Sequence, residues 1–289
     1  MTNLKPLVLA LLLAPLASSA QNHPAHGIVL QLDNAHRTIV VSCDAIPGYM
    51  SPMEMSFTLR GPLKPAFNPG TTVGFTIVES NHVLYAEDVH PVASENFESE
   101  PMAAGGLTAL HNALNPSSAA QVVAQGQPVP DFALTDQVGT QVHLAGLEGK
   151  VVLLTFGYSR CPNPDYCFRL SNNLQKVERR FAARAGRDLV LLTIAIDPEH
   201  DQGTVLTQYA AAFHADPTVW HFLTGPLPEI KQIAADFGMN FWSREGLVTH
   251  SLHTVIIDRD GRLAANLEGN QFTPQQLGDL VQSVMNRHP

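Results

Sequence analysis

Two cysteines, Cys161 and Cys167, follow directly on the apolar run Val151 to Phe156, with Pro162, Asn163, Pro164, Asp165 and Tyr166 between them. A thiol pair at the carboxyl end of a buried strand and ahead of a helix is placed for chemistry. The helix N-terminus lowers thiol pKa and favours the thiolate, which is both a nucleophile and a soft metal ligand. Two uses follow. In a thiol-disulfide oxidoreductase Cys161 would attack a substrate disulfide and Cys167 would resolve the mixed disulfide. In a metal site both thiolates would hold a soft ion. A spacing of six does not bring side chains onto one helical face, and Pro162 and Pro164 keep regular helix out of the interval, so both sulfurs are expected on a loop.

A second group of sulfurs lies far upstream. Met50, Met53 and Met55 are three of the chain's seven methionines, and Cys43, its third cysteine, precedes them. In an extended segment Met53 and Met55 share one face. Methionine is a good gap-filler in a small core. Thioethers are also soft ligands that need no deprotonation and select Cu(I) or Ag(I).

The elements that must position these groups fall into two blocks. Gly27 to Leu32, Arg37 to Ser42, Met55 to Arg60, Thr71 to Val78 and Val83 to His90 are short alternating runs separated by turn residues, as in a small antiparallel, OB-like barrel over 26–92. From Ala93 to Gln125 the periodicity fades into a linker in which Leu107 to Leu114 is a candidate short helix. From Gly126 onward strands and helices alternate, which predicts an α/β domain over 126–289, and a cysteine pair behind its first buried strand is where a thioredoxin-like domain does its chemistry. The predicted elements include helices from Cys167 to Ala185, Thr204 to Phe213 and Pro228 to Phe237. Asp260-Gly261 marks a hairpin, and Thr273-Pro274-Gln275-Gln276 marks a capped last helix.

Met1 to Ala20 carries Lys5, an apolar run and then Ala17-Ser18-Ser19-Ala20, the pattern of a cleaved export signal. The expectation is a soluble, exported, periplasmic protein with no membrane insertion after cleavage. A formal net charge of -9 argues against a nucleic-acid partner. Cleavage behind Ala20 would also expose Gln21-Asn22-His23, whose amine, amides and imidazole form a possible square-planar Cu(II) or Ni(II) chelate.

The segment Pro128 to Met285 resembles the Sco/SenC family of copper-handling thioredoxin-fold proteins. The resemblance rests on Pro130 to Asp136, Gly149-Lys150, Phe156 to Pro162, Ile196-Asp197-Pro198-Glu199, Leu223-Thr224-Gly225 and His250-Ser251 before Ile256-Ile257-Asp258. It implies a copper site made by Cys161, Cys167 and His250, in a motif that here has two extra residues between the cysteines. Taken alone, a histidine before a strand reads as an ordinary surface or core residue, and only the resemblance makes His250 a ligand. Two thiolates and an imidazole suit Cu(I) or Cu(II), with zinc as the competitor. His253 is expected on the opposite face as a structural residue, and Asp197 either as a strand terminator or as a group near the metal.

The upstream block resembles the CusF-like periplasmic copper and silver binders through Ile46-Pro47-Gly48 and Met53-Glu54-Met55-Ser56-Phe57. The resemblance implies Met53 and Met55 as ligands, with Cys43 standing where a histidine is expected and Met50 roughly where a tryptophan would cap the ion. The combined expectation is a copper chaperone whose recipient is an exported cuproprotein such as the CuA subunit of cytochrome c oxidase, with the oxidoreductase as the alternative.

Overall fold

The computed structural model describes residues 22–61, 67–92, 122–244 and 247–287. The expected export signal and the candidate helix from Leu107 to Leu114 lie outside the described residues. The first block forms β1 (Asn22–Asp33), β2 (Thr38–Cys43), β3 (Met53–Leu59), β4 (Thr72–Ser80) and β5 (Val83–Pro91), which close into a barrel in the order β1-β2-β3-β5-β4. Alternation sorts the side chains. Ile39, Val41 and Cys43 of β2 point into the barrel core with Val29, Phe57, Phe75 and Ile77, while Val40 between them packs outward. β1 begins earlier than the alternation predicts, because Asn22 to Pro24 pair with Thr76 to Val78 of β4.

The second block is built on β8 (Val151–Gly157), β9 (Leu189–Ala195), β10 (Trp220–Leu223), β13 (His253–Ile257) and β14 (Leu263–Glu268), ordered β10-β9-β8-β13-β14. β8, β9 and β10 are parallel, and β13 and β14 run antiparallel to their neighbours. Every residue of β8 and of β9 is buried, as a strand covered on both faces requires. α1 (Arg169–Arg180), α2 (Gly203–Ala212) and α4 (Pro274–Asn286) cover one face. α3 (Leu227–Asp236) covers the other, together with the hairpin of β6 (Ala133–Thr135) and β7 (Gln141–His143). Gly261, at φ +70°, makes the predicted turn between β13 and β14, with Asp258 Oδ1 accepting from the N–H groups of Asp260 and Arg262.

The predicted capping box is present, since Thr273 Oγ1 accepts from Gln276 N–H at 3.2 Å and Gln276 Oε1 from Thr273 N–H at 2.9 Å. The same Gln276 side chain also reaches across to the barrel, donating from Nε2 to Asp44 Oδ1 at 2.9 Å.

The sequence suggested two separate cores, and here the structure differs. Ile28 and Leu30 leave the barrel wall and enter the core formed by α1, α2 and α4. Burying each such side chain stabilises by about 1.5–3 kcal/mol. Beside them Ser42 Oγ donates to buried Asp279 Oδ2 at 2.7 Å, while Arg180 Nη2 donates to Asp279 Oδ1 at 2.7 Å. β1 is therefore buried on both faces from Gly27 to Leu30 and serves both folds.

Candidate metal centres

β8 delivers the chain to Tyr158, after which Ser159 and Arg160 are tied down by two buried carboxylates. Asp201 Oδ2 accepts from Ser159 N–H at 3.0 Å, and its other oxygen accepts from the Ser159 hydroxyl. Asp197 Oδ2 accepts from Arg160 Nη2 at 2.6 Å and Nε at 3.1 Å, and its Oδ1 lies 3.0 Å from His200 Nδ1. Asp197 thus anchors the residue beside Cys161. Asp201 holds the turn one residue earlier, and burial pushes its carboxyl pKa up. The sequence reading missed Asp201 because its only signal was the Asp-Pro-Glu-His-Asp run after β9.

Cys161 sits on the expected loop, half-buried. Cys167 does not: it lies in a short, irregular helical turn, Pro164–Phe168, that Asn163 caps by accepting from Asp165 N–H at 2.9 Å. Proline is tolerated at the first helical position, where its missing N–H would go unused, so Pro164 opens this turn instead of preventing it. Regular helix begins only at Arg169, because the backbone is broken at Tyr166.

His250 comes from β12 (Leu247–His250), which pairs with β11 (Phe241–Arg244) in a hairpin that the sequence pattern did not reveal. The hairpin turns the imidazole inward, and His250 is 4% exposed. Its Nδ1 lies 2.9 Å from Ser251 O, so Nδ1 carries the hydrogen and Nε2 is left to face Cys167 Sγ at 3.3 Å. His253 opens the next strand, β13, buried and 3.0 Å through Nδ1 from Asn266 Oδ1. Burial lowers its pKa.

The two thiols differ. Cys161 is drawn down to about 4 because the Cys167 thiol, and then His250, hydrogen-bond its sulfur and outweigh the cost of burial. Cys167 moves the other way, since the Cys161 charge and burial oppose a second thiolate. Among the described residues no three His, Cys, Asp or Glu side chains already stand in coordinating geometry. Cys167 Sγ instead meets His250 Nε2 at 3.3 Å, while Cys161 Sγ donates to Asn163 O at 3.6 Å. Two thiolates and an imidazole are donors that copper accepts.

In the barrel Cys43 pairs in register with Met53, and Val41 with Met55. Directly opposed residues share a face, so Cys43, Met53 and Met55 line the same side of the β2–β3 ladder. Met50 reaches that core from the loop, where Ile46 and Met50 form a bridge. Met53 is 47% exposed, whereas Cys43 is wholly buried and pushed up to about 12, chiefly by burial. The His23 ring stacks on Tyr49 at 3.8 Å, with its Nε2 buried and without a hydrogen-bond partner among the described residues. Asn22 and His23 belong to the barrel ladder, so a chelate through their amides would have to peel the end of β1 away from β4.

A family model described as SCO1/SenC matches residues 121–286, over half of the chain. The chain belongs to the SCO1/SenC family. A model described as copper binding periplasmic protein CusF matches residues 22–91, so the SCO1/SenC domain is preceded by a CusF-like copper-binding domain. The mitochondrial protein SCO1 of Saccharomyces cerevisiae is 28% identical over 167 residues, covering 55% of this chain and 54% of that protein. The chain thus spans about half the length of this relative. The structure of yeast Sco1 with copper bound is 26% identical, covers 56% of this chain and 91% of that one, and has a TM-score of 0.49. A protein of Aquifex aeolicus, 18% identical with a TM-score of 0.50 over 56% of this chain and 94% of that one, shares the fold. Among the described residues no helix is long and apolar enough to cross a membrane.

Proposed function

We propose that this SCO1/SenC protein is a periplasmic copper chaperone in which Cys161, Cys167 and His250 hold copper for transfer to an exported cuproprotein such as the CuA centre of cytochrome c oxidase. The observation that carries the reading is the approach of Cys167 Sγ to His250 Nε2 at 3.3 Å, with Nδ1 spent on Ser251 O, beside a Cys161 thiol whose pKa is drawn down to about 4. Cys161 offers a ready thiolate and His250 a lone pair, so only the Cys167 proton has to leave when copper enters. In the barrel, Met53 and Met55, then Cys43 and Met50, form the capture site. Thioethers take Cu(I) without releasing a proton, and the register of Cys43 with Met53 supports a shared face.

A second reading is favoured by the contrast between the thiols. A half-buried thiolate beside a buried, protonated thiol suits exchange: Cys161 attacks a substrate disulfide and expels one substrate thiolate. Cys167, losing its proton, then attacks Cys161 and expels the other, so that the substrate gains two electrons and the pair becomes a disulfide.

Metal analysis of the reduced, anaerobically purified chain separates the readings. Two coppers in the wild type and one in the Cys161→Ala, Cys167→Ala double variant support two sites, whereas no retained copper in either favours the redox enzyme. His250→Ala weakens copper retention under the first reading and spares disulfide exchange under the second.

A further inference from the structure

The outer wall of the barrel carries a pair of imidazoles that neither sulfur centre uses. His26 of β1 and His90 of β5 are both exposed, and each is paired in register with Gly74 of β4, which runs between them. A Cβ built on Gly74 would stand 2.9 Å from His90 Nε2, 3.1 Å from His90 Cε1 and 3.3 Å from His26 Cδ2. The two rings therefore lean over the glycine from opposite sides, and the missing side chain leaves room between them. Adjacent strands are about 4.8 Å apart, so the two histidines flank a gap of two strand spacings. Two imidazoles leaning inward can close that gap on one ion, at about 2.0–2.1 Å per nitrogen.

A second observation concerns which nitrogen is free. His90 Nδ1 lies 2.7 Å from Asp88 O, and a carbonyl only accepts, so Nδ1 carries the hydrogen and Nε2 presents its lone pair to the cradle. Histidine ligands are commonly oriented by such a bond from the other ring nitrogen. It depends on an irregular stretch of β5. Asp88 has φ +53°, and the β4–β5 register slips between Gly74 and Thr76. Bulges of this kind re-aim side chains. Asp44 lies close by: its N–H donates to His26 O at 2.9 Å, and its Oδ1 accepts from Gln276 Nε2 at 2.9 Å. No third His, Cys, Asp or Glu among the described residues completes a cage with the pair, which leaves the other coordination positions to water.

We propose that His26 and His90, straddling Gly74, form a two-imidazole site on the barrel's outer wall for a borderline divalent cation, with Cu(II) preferred over Zn(II). Imidazole with water suits the divalent ions, and Cu(II) outranks Zn(II) for nitrogen donors, whereas the sulfur centres suit Cu(I). The inference does not rest on the chaperone reading.

The test titrates Cu(II) alone into the full chain carrying Cys161→Ser and Cys167→Ser, with electron paramagnetic resonance as the readout. The expected result is a bound Cu(II) whose spectrum shows two imidazole nitrogens. Adding His26→Gln or His90→Gln weakens it on the order of tenfold or more and removes the two-nitrogen pattern. Gly74→Ala, which fills the cradle, does the same, while His82→Gln at the β4–β5 turn changes nothing. Both ring substitutions are at exposed positions, so circular dichroism should show an intact fold and the result stands whether or not Gly74→Ala folds. Unchanged affinity and spectrum in the His26→Gln, His90→Gln double variant overturn the site. Cu(I) retention by the otherwise wild-type chain carrying that pair of substitutions is measured separately, so loss of the chaperone reading and loss of this site are told apart.

Discussion

The two sulfur centres use similar atoms in opposite ways. At Cys161, Cys167 and His250 the groups come from a strand exit, a helical turn and a distant hairpin, and Cys167 Sγ already stands 3.3 Å from His250 Nε2. At Cys43, Met50, Met53 and Met55 the donors come from one stretch of chain, and their exposure grades from a buried thiol to an open thioether. Under the proposed function, the gathered, partly ionised trio would retain a cation. The open thioethers next to a thiol held near 12 would meet one, as the competent ligands at neutral pH.

The largest expected effect strikes the gathered site. Cys161→Ala with Cys167→Ala should abolish its Cu(I) retention against a chromogenic chelator, and His250→Ala should weaken it by more than the 10–100-fold typical of lost supporting contacts. Met53→Ala with Met55→Ala should leave that retention intact, and equal losses from both pairs would end the distinction between the centres.

The pH dependence of Cys161 sharpens the contrast next. With its thiol at about 4, alkylation of Cys161 by iodoacetamide should hold its rate from pH 8 down to about 5 and fall only on approach to 4, while Cys43 stays unreactive throughout. Mass spectrometry of the modified peptides reads this directly. A thiol whose folded pKa lies below its ordinary value of 9.0 contributes fully above 9, and its contribution declines as pH falls and is gone below about 4. The melting temperature of the reduced protein should therefore rise with pH across that window, less steeply in Cys161→Ala.

Between the centres, Ser42→Ala removes a buried hydrogen bond to the Asp279 carboxylate and should cost about 1.5–3 kcal/mol in urea unfolding. A single transition should remain, because Ile28 and Leu30 still join the two cores. Separate transitions for barrel and α/β domain would show that β1 does not couple them. The smallest effect on stability is expected at Met53. Its side chain is 47% exposed, so Met53→Ala should change unfolding by no more than about 0.5 kcal/mol while lowering Ag(I) or Cu(I) uptake by the barrel.

Much of this was legible in residue order. Spacing along an extended segment puts Met53 and Met55 on one face, and Asp260-Gly261 and Thr273 to Gln276 mark a turn and a cap that both form. These features depend on neighbours a few residues apart, where backbone preference and side-chain spacing act directly. Cys167 leaves the expected loop because Pro164 opens a helical turn at its first position, where proline does not break helix. β11 and β12 were missed because each is only four residues long and neither alternates.

By itself, then, the sequence determined two folds, a thiol pair behind a buried strand and a cluster of methionines in the barrel. Tertiary structure alone decided that His250 meets Cys167 from 83 residues away, that Asp201 holds the turn before Cys161, and that Ile28 and Leu30 fuse the two cores. It also decided that His26 and His90 lean over one glycine. The physical reason is the range of the forces involved: periodicity and capping act along the chain, whereas the meeting of distant side chains is set by how completed elements pack, and no local pattern records that.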